Sequence, residues 1–265
     1  MGKTVAMALS LAVFLAWEAL RPYYAYTSGH WLRSLNNAIV GLFNAAFARL
    51  AFAGLGYWAL SLAADSRFGL LNIVALPPWA GIALTMLALD IWTYWWHRLN
   101  HTVNFLWRFH RAHHTDTEMG VTTAYRFHPV ELAFSSLLRV PLILVLGLKP
   151  EGLLWYELLL NVSVAFHHAN LGIGDKADAF IRTVFVSPIM HKLHHSVEPR
   201  EFSSNYSSIL SLWDRLFRSW TVTDKPRAIV LGLRVYRDER WQSVIGIVLT
   251  PFKRSGSGLN LNRPE

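Results

Sequence analysis

Histidine is the residue type that carries chemistry in this chain. Of its 12 histidines, five fall in one stretch, at His97, His101, His110, His113 and His114. Three more follow as His191, His194 and His195, and His167-His168 forms a pair. His128 lies between these groups and His30 stands apart. Residues three and four apart share a helix face, so HRAHH and HKLHH each present three imidazoles from one stripe about 100° wide. His97 and His101 add a pair one turn apart. Neutral imidazole binds Zn, Fe, Cu and Ni well. Eight such ligands exceed what one ion takes with a position left open, so the count points to two metal ions. At this composition HxxHH is expected by chance about 0.02 times, and it occurs twice. The chain has no cysteine, which excludes a disulfide frame and a thiolate metal site.

The elements that must position these rings are apolar. The 265 residues are 53% hydrophobic and 16% charged, with 12 Trp and 9 Tyr, a composition that points to a membrane protein. The net charge of +8 suits a membrane surface better than nucleic acid, because Lys and Arg lie mostly between and after the apolar runs. Five runs are predicted as helices: 4–20, 38–62, about 77–96, 132–148 and 152–168. The first reads as a retained helix rather than a signal peptide, since no small-x-small site precedes Glu18 and Arg21-Pro22. Pro77-Pro78 suits the start of the third. The fourth, with Arg139 and Pro141, is near the lower length limit for spanning. A tight hairpin through Gly147–Gly152 is predicted to join it to the fifth. Residues 63–73 read as a short polar link, 241–250 as an interfacial segment or one packed on the cap, and 255–265 as a disordered tail.

Charge orients this arrangement. If all five runs cross, segments 21–37, 97–131 and 169–265 share one side and hold 20 Lys and Arg, against three on the other. The positive-inside rule places the 20 in the cytoplasm, with every histidine block on that face and Met1 opposite. The expectation is an all-α integral membrane bundle of about four to five apolar helices. A cytosolic helical cap would carry the histidine-rich dimetal site, within a single domain over 1–254.

The boxes HRLNH, HRAHH and HKLHH resemble those of the fatty acid hydroxylase/sterol desaturase superfamily. The context is similar too: DIWTYWWHR before the first box, RFHPVE after the second, HHANL before the third, and NYSSILSLWDRLF after it. The resemblance covers about residues 80–220. It implies a membrane enzyme of the bacterial inner membrane or endoplasmic reticulum, with a cytosol-facing dimetal centre. Two iron ions would use O2 to hydroxylate or desaturate a lipid C–H bond, with zinc an alternative occupant in purified protein. The implied metal ligands are His97, His101, His110, His113, His114, His168, His191, His194 and His195, with no catalytic residue beyond them. His167 and His128 are alternative ligands or supports. In fatty acid 2-hydroxylase members a further histidine stands four residues before His168, where this chain has Val164.

Carboxylates and amides are expected to orient the imidazoles through their other ring nitrogen. Asp90, two turns before His97 on one face, is the first candidate, followed by Asn170, Asn205 and Asp214. Arg49 and Arg139, inside apolar runs, read as snorkelling or interhelix-paired residues. No haem- or flavin-binding domain is visible, so electrons would come from a separate donor of cytochrome b5, ferredoxin or reductase type docking on the basic face. A zinc-dependent membrane hydrolase is the main rival, but the sequence has no HExxH motif. A metal transporter would place its ligands inside the spanning runs, whereas here they follow them. Sterol, fatty acyl, alkylglycerol and carotenoid substrates all remain open.

Overall fold

A computed structural model describes residues 2–253, with side chains from Thr4 onward. Twelve α-helices are present among the described residues: α1 (Gly2–Leu20), α2 (His30–Asp65), α3 (Leu70–Ile73), α4 (Pro78–Thr102), α5 (Asn104–His114), α6 (Pro129–Leu146), α7 (Pro150–His168), α8 (Asp175–Ile181), α9 (Pro188–His194), α10 (Pro199–Phe202), α11 (Leu212–Leu216) and α12 (Val244–Leu249). No β-strand is found among them, only isolated bridges such as Pro22 with Leu171. The sidedness of Met1 and the tail 255–265 fall outside the described residues.

The five long helices coincide with the five apolar runs. α2 packs against α6, α4 against α7, and α1 against α7. Among the described residues two segments are long and apolar enough to cross a membrane, residues 30–73 and Pro129–Leu146, and only 11% of each apolar window is buried within the protein. Their outward side chains are large and apolar: Leu42, Leu50 and Tyr57 on α2 and Val145 on α6 are all exposed. Thr4–Leu20 is apolar but shorter.

α2 starts eight residues earlier than the predicted run, at His30. Its N-terminal half buries polar side chains that reach partners on other segments. Arg33 donates to Thr117 Oγ1 at 2.8 Å, Asn37 to Asp116 Oδ2 at 2.9 Å, and Asn44 to the Phe127 carbonyl at 2.7 Å. Such residues lower the hydropathy of a window without leaving the helix. α6 runs through Pro141 and ends at Gly147, whose φ of 65° is the left-handed conformation that glycine adopts freely. Lys149 and Pro150 then open α7, which is the predicted hairpin. The polar link after α2 folds into α3 against α6, with Gly69 so close to the Gly147 backbone that a side chain there has no room.

One end of the long helices is covered by a layer of short ones. On α1, Glu18 accepts from Val121 N at 2.9 Å and Asn170 N at 3.0 Å. Arg126, fully buried, donates to the Ala112 carbonyl at 3.0 Å, Asn37 Oδ1 at 2.8 Å and the Trp241 carbonyl at 2.8 Å, tying α2 to the end of α5. α12 buries Gly246 and Ile247 and leaves Ile245 and Leu249 exposed.

Candidate metal centre

Four helices bring the histidines together. α4 carries His97 and His101 on its last turns, and α5 carries His110, His113 and His114. α7 ends on His167-His168. α9 holds His191 and His194, with His195 as its C-cap. α9 is short and is fixed at its start. Ser187 caps it by accepting from Met190 N at 3.3 Å, and Pro188 takes the first helical position. Buried Asp178 accepts from Ser187 Oγ at 2.7 Å and Ile189 N at 2.9 Å. Lys192, between the histidines, turns away and donates to the Ala169 carbonyl at 2.9 Å, at the end of α7. Burial lowers its amine to about 8.

The nine histidines of the predicted set form two groups. His97, His101, His110, His114 and His194 make one, and His113, His168, His191 and His195 make the other. Within each group the facing ligand atoms lie within 4.8 Å of one another. The division follows helix geometry. Residues i and i+4 differ by about 40° around the axis, whereas i+3 lies about 60° to the other side. Hence His97/His101, His110/His114 and His191/His195 each stay together, while His113 and His194 cross to the opposite group. The His114 and His195 rings stack at 4.3 Å between the groups.

The ring nitrogens fit metal. His168 Nε2 lies 3.1 Å from His113 Nε2 and 3.0 Å from His191 Nε2, and His110 Nε2 lies 3.3 Å from His114 Nε2. Ligands about 2.1 Å from one ion, at octahedral to tetrahedral angles, are about 3.0–3.4 Å apart. Buried His97 Nε2, His194 Nε2 and both nitrogens of His101 and His195 have no hydrogen-bond partner. Burial and the neighbouring rings hold the imidazoles of His113, His114, His191 and His195 well below their usual range, and burial takes His194 down to about 3. At neutral pH these rings are neutral, the form that binds metal.

The outer nitrogens show which partners orient the rings. His97 Nδ1 bonds to the Tyr206 carbonyl at 2.8 Å, His194 Nδ1 to the Ser204 carbonyl at 2.6 Å, and His168 Nδ1 to the Val164 carbonyl at 2.8 Å. Each bond makes Nδ1 the donor and leaves the Nε2 lone pair for the centre. His110 Nδ1 bonds to Glu131 Oε1 at 2.8 Å, in the first turn of α6. Sequence reasoning missed Glu131, although the HPVE motif contains it.

The carboxylates and amides expected to orient imidazoles bond to other groups, none of them an imidazole nitrogen. Asp90 accepts from Trp213 Nε1 at 2.7 Å and Leu210 N at 3.2 Å, and His97 Nδ1 bonds to a carbonyl instead. Asn170 exchanges hydrogen bonds with the backbone of Tyr24. Asn205, at a φ of 57°, donates to the Met190 and Thr221 carbonyls. Asp214 acts one step away, accepting from Tyr206 N at 2.8 Å and Ser207 N at 3.0 Å beneath the carbonyl that holds His97. His128 lies outside both groups. Its Nδ1 caps α6 by accepting from Val130 N at 3.2 Å. His167 is also outside them, with its ring 4.0 Å from that of His191. Arg139 reaches Glu157 on α7 at 3.5 Å, and Arg49 is exposed.

A cavity of about 440 Å³ opens from the histidines between α2, α4, α6 and α7. His97, His110, His113, His168 and His191 line it, and the Arg139–Glu157 pair lies farther along. Aliphatic side chains such as Leu132, Leu160 and Val164 form the wall between.

The profile of the family described as fatty acid hydroxylase matches residues 82–219. The chain is 27% identical to an alkylglycerol monooxygenase of Xenopus tropicalis over 201 residues, covering 74% of this chain and 43% of that protein. It is 27% identical to ornithine lipid hydroxylase OlsE of Rhizobium tropici over 176 residues, 66% of this chain and 51% of the other. It is 28% identical to fatty acid hydroxylase vlmA of Lecanicillium sp over 211 residues, 67% and 57%. The chain thus spans about half the length of the curated relatives it matches. No solved structure matches it.

Proposed function

The chain belongs to the fatty acid hydroxylase family, and on that premise we propose that it is an O2-dependent membrane oxidoreductase that hydroxylates a lipid C–H bond at a histidine-held diiron centre. The observation that carries this reading is the floor of the cavity. Five imidazoles that line it belong to two groups, nine rings in all, with metal-like spacing, below an apolar space between apolar helices. The names of the relatives, alkylglycerol monooxygenase and ornithine lipid hydroxylase, favour a polar lipid as substrate.

The proposed ligands are the five histidines of one group and the four of the other. Iron held by these imidazoles would supply O2 activation. Balanced, one oxygen atom enters the C–H bond as hydroxyl and the other leaves as water, with two electrons and two protons consumed. The electrons come from a separate one-electron carrier protein. This chain's residues hold the imidazoles neutral, orient them through Glu131 and three backbone carbonyls, exclude water by burial, and direct an apolar substrate toward the floor.

The proposed orientation puts the short-helix layer and its cationic surface in the cytoplasm, with five crossings below it. On this cysteine-free chain, Asp224→Cys should label only from the cytoplasmic side and Glu151→Cys only from the opposite side. The reverse result would remove a cytoplasmic electron donor's access to the centre.

Metal analysis combined with O2 uptake and lipid product analysis tests the function. The expected result is two metal ions per chain, with iron supporting O2-dependent formation of a hydroxylated lipid. Full activity with one ion or none would sink the diiron reading. Lipid cleavage with zinc and without O2 uptake would establish a hydrolase instead.

A further inference from the structure

Three acceptors at the histidine end of the cavity have no partner. Asn44 on α2 donates its amide to the Phe127 carbonyl, and its Oδ1 is left unpartnered. Asn100 on α4 donates to the Trp96 carbonyl at 3.0 Å, and its Oδ1 is also unpartnered. Glu131 on α6 gives one oxygen to His110, and the other is unpartnered. All three residues line the cavity and are at least nine-tenths buried, at 4%, 1% and 5% exposure. Phe127, held by Asn44, stacks on His113 at 4.4 Å, which places Asn44 beside the second histidine group. Both asparagine amides are committed as donors to carbonyls, so the orphaned atoms are oxygens. Buried acceptors without donors are costly. Farther along the cavity Arg139 pairs with Glu157 and Asn161 donates to Tyr125 Oη at 3.3 Å, while Asn161 Oδ1 and Arg139 Nε are unpartnered.

We propose that the cavity takes its lipid head first, docking a head group rich in hydrogen-bond donors, hydroxyl or ammonium, on Asn44 Oδ1, Asn100 Oδ1 and Glu131 Oε2. The alkyl chain then runs along the aliphatic wall toward Arg139. The oxidised C–H bond is therefore counted from the head and not from the methyl end. This inference rests on the hydroxylase reading above and uses the same balance: one oxygen into the C–H bond, one into water, two electrons from the carrier.

The test uses the full chain in membranes supplied with a one-electron donor. Tetradecyl-, hexadecyl- and octadecylglycerol ethers form one probe series, and the matching alkylamines the other. Each is paired with a capped analogue, the dimethyl ether or the quaternary trimethylammonium. Mass spectrometry locates the inserted oxygen. The expected oxygen stays a fixed number of bonds from the head as the chain lengthens, and the series that reacts identifies hydroxyl or ammonium. Binding is read separately as the rise in melting temperature of the solubilised holoenzyme, and capping should raise the apparent Kd about tenfold. Asn44→Leu and Asn100→Leu should erase the difference between capped and uncapped heads. The wild-type chain-length series decides the question even if these variants fail to fold. An oxygen that moves with chain length, or equal binding of capped and uncapped heads, overturns the proposal. If no probe is oxygenated while uncapped heads still bind better, the hydroxylase reading fails and head recognition stands.

Discussion

The two histidine groups contain similar rings but hold them differently. In the five-histidine group, the outer nitrogens of His97, His110 and His194 are hydrogen-bonded, one of them to a carboxylate. In the four-histidine group only His168 is braced, by a carbonyl of its own helix. His113 Nδ1, His191 Nδ1 and both nitrogens of His195 have no hydrogen-bond partner. Much of the difference comes from one loop. Residues 203–208 present the Ser204 and Tyr206 carbonyls to two rings of the same group, with Asn205 in the left-handed conformation between them. Asn and Asp adopt that conformation more readily than most residues. Ligand number and outer bracing therefore both favour the first group, and its ion should be the more tightly held.

Deleting one ligand from each group is the strongest way to break this comparison. His113→Ala leaves three histidines in its group, and His194→Ala leaves four in the other. Both variants should fall to background activity, because the proposed chemistry uses both ions. Their metal contents should differ: His113→Ala loses its group's ion outright, whereas His194→Ala retains part of its own. Metal analysis of the purified variants measures this, and equal loss would show that the groups do not differ in strength.

Partial chelation sharpens the same point without mutation. Graded chelator should remove the ion of the four-histidine group first, taking the metal content from two to one while activity disappears. The separation between the two release steps should be about 10–100-fold in chelator, the usual effect of partners that orient ligands. A single step removing both ions would show that the centre behaves as one site.

The spacing of the boxes made eight of the rings legible in the sequence, the family resemblance added His168, and the apolar runs marked the five long helices. The division between groups is also contained in the spacing, since i and i+4 point together while i+3 diverges. Which pairs meet depends on how four helices pack, and spacing does not contain that. The bracing carbonyls of Val164, Ser204 and Tyr206 left no trace, because every residue has a carbonyl. Glu131 did leave one, a carboxylate three residues after His128 at the start of an apolar helix. Asp90 misled because its position two turns before His97 suggested contact along the helix. Its partners instead come from a distant loop, at Leu210 and Trp213.

Glu131 provides the next smaller effect. Glu131→Gln keeps the shape and an acceptor for His110 but removes the charge. Metal affinity of the five-histidine group should fall about 10–100-fold, with the other group unchanged. Equal weakening of both groups would mean that Glu131 supports the α5–α6 contact and not His110 in particular. Loss of affinity that Glu131→Asp restores would point the other way.

The smallest effect is expected at Asp214, one bond farther out. Its carboxylate is fully buried and accepts from Tyr206 N, Ser207 N and Ser219 Oγ, the last at 2.7 Å. Burial pushes this carboxyl upward while those hydrogen bonds oppose the shift. In Asp214→Asn the amide NH2 faces a donor that the carboxylate had accepted, leaving an N–H or O–H without a partner. The cost to folding should be about 1–3 kcal/mol. The Tyr206 carbonyl keeps its place in the chain but is less firmly held, so His97 should loosen without letting go. Affinity at the five-histidine group should fall by less than the roughly tenfold minimum for direct partners, with the four-histidine group unaffected. Thermal unfolding and metal titration of the same variant separate these two readings. A loss of affinity as large as that of Glu131→Gln would mean that the 203–208 loop, not the carboxylate on His110, is the main brace of the five-histidine group.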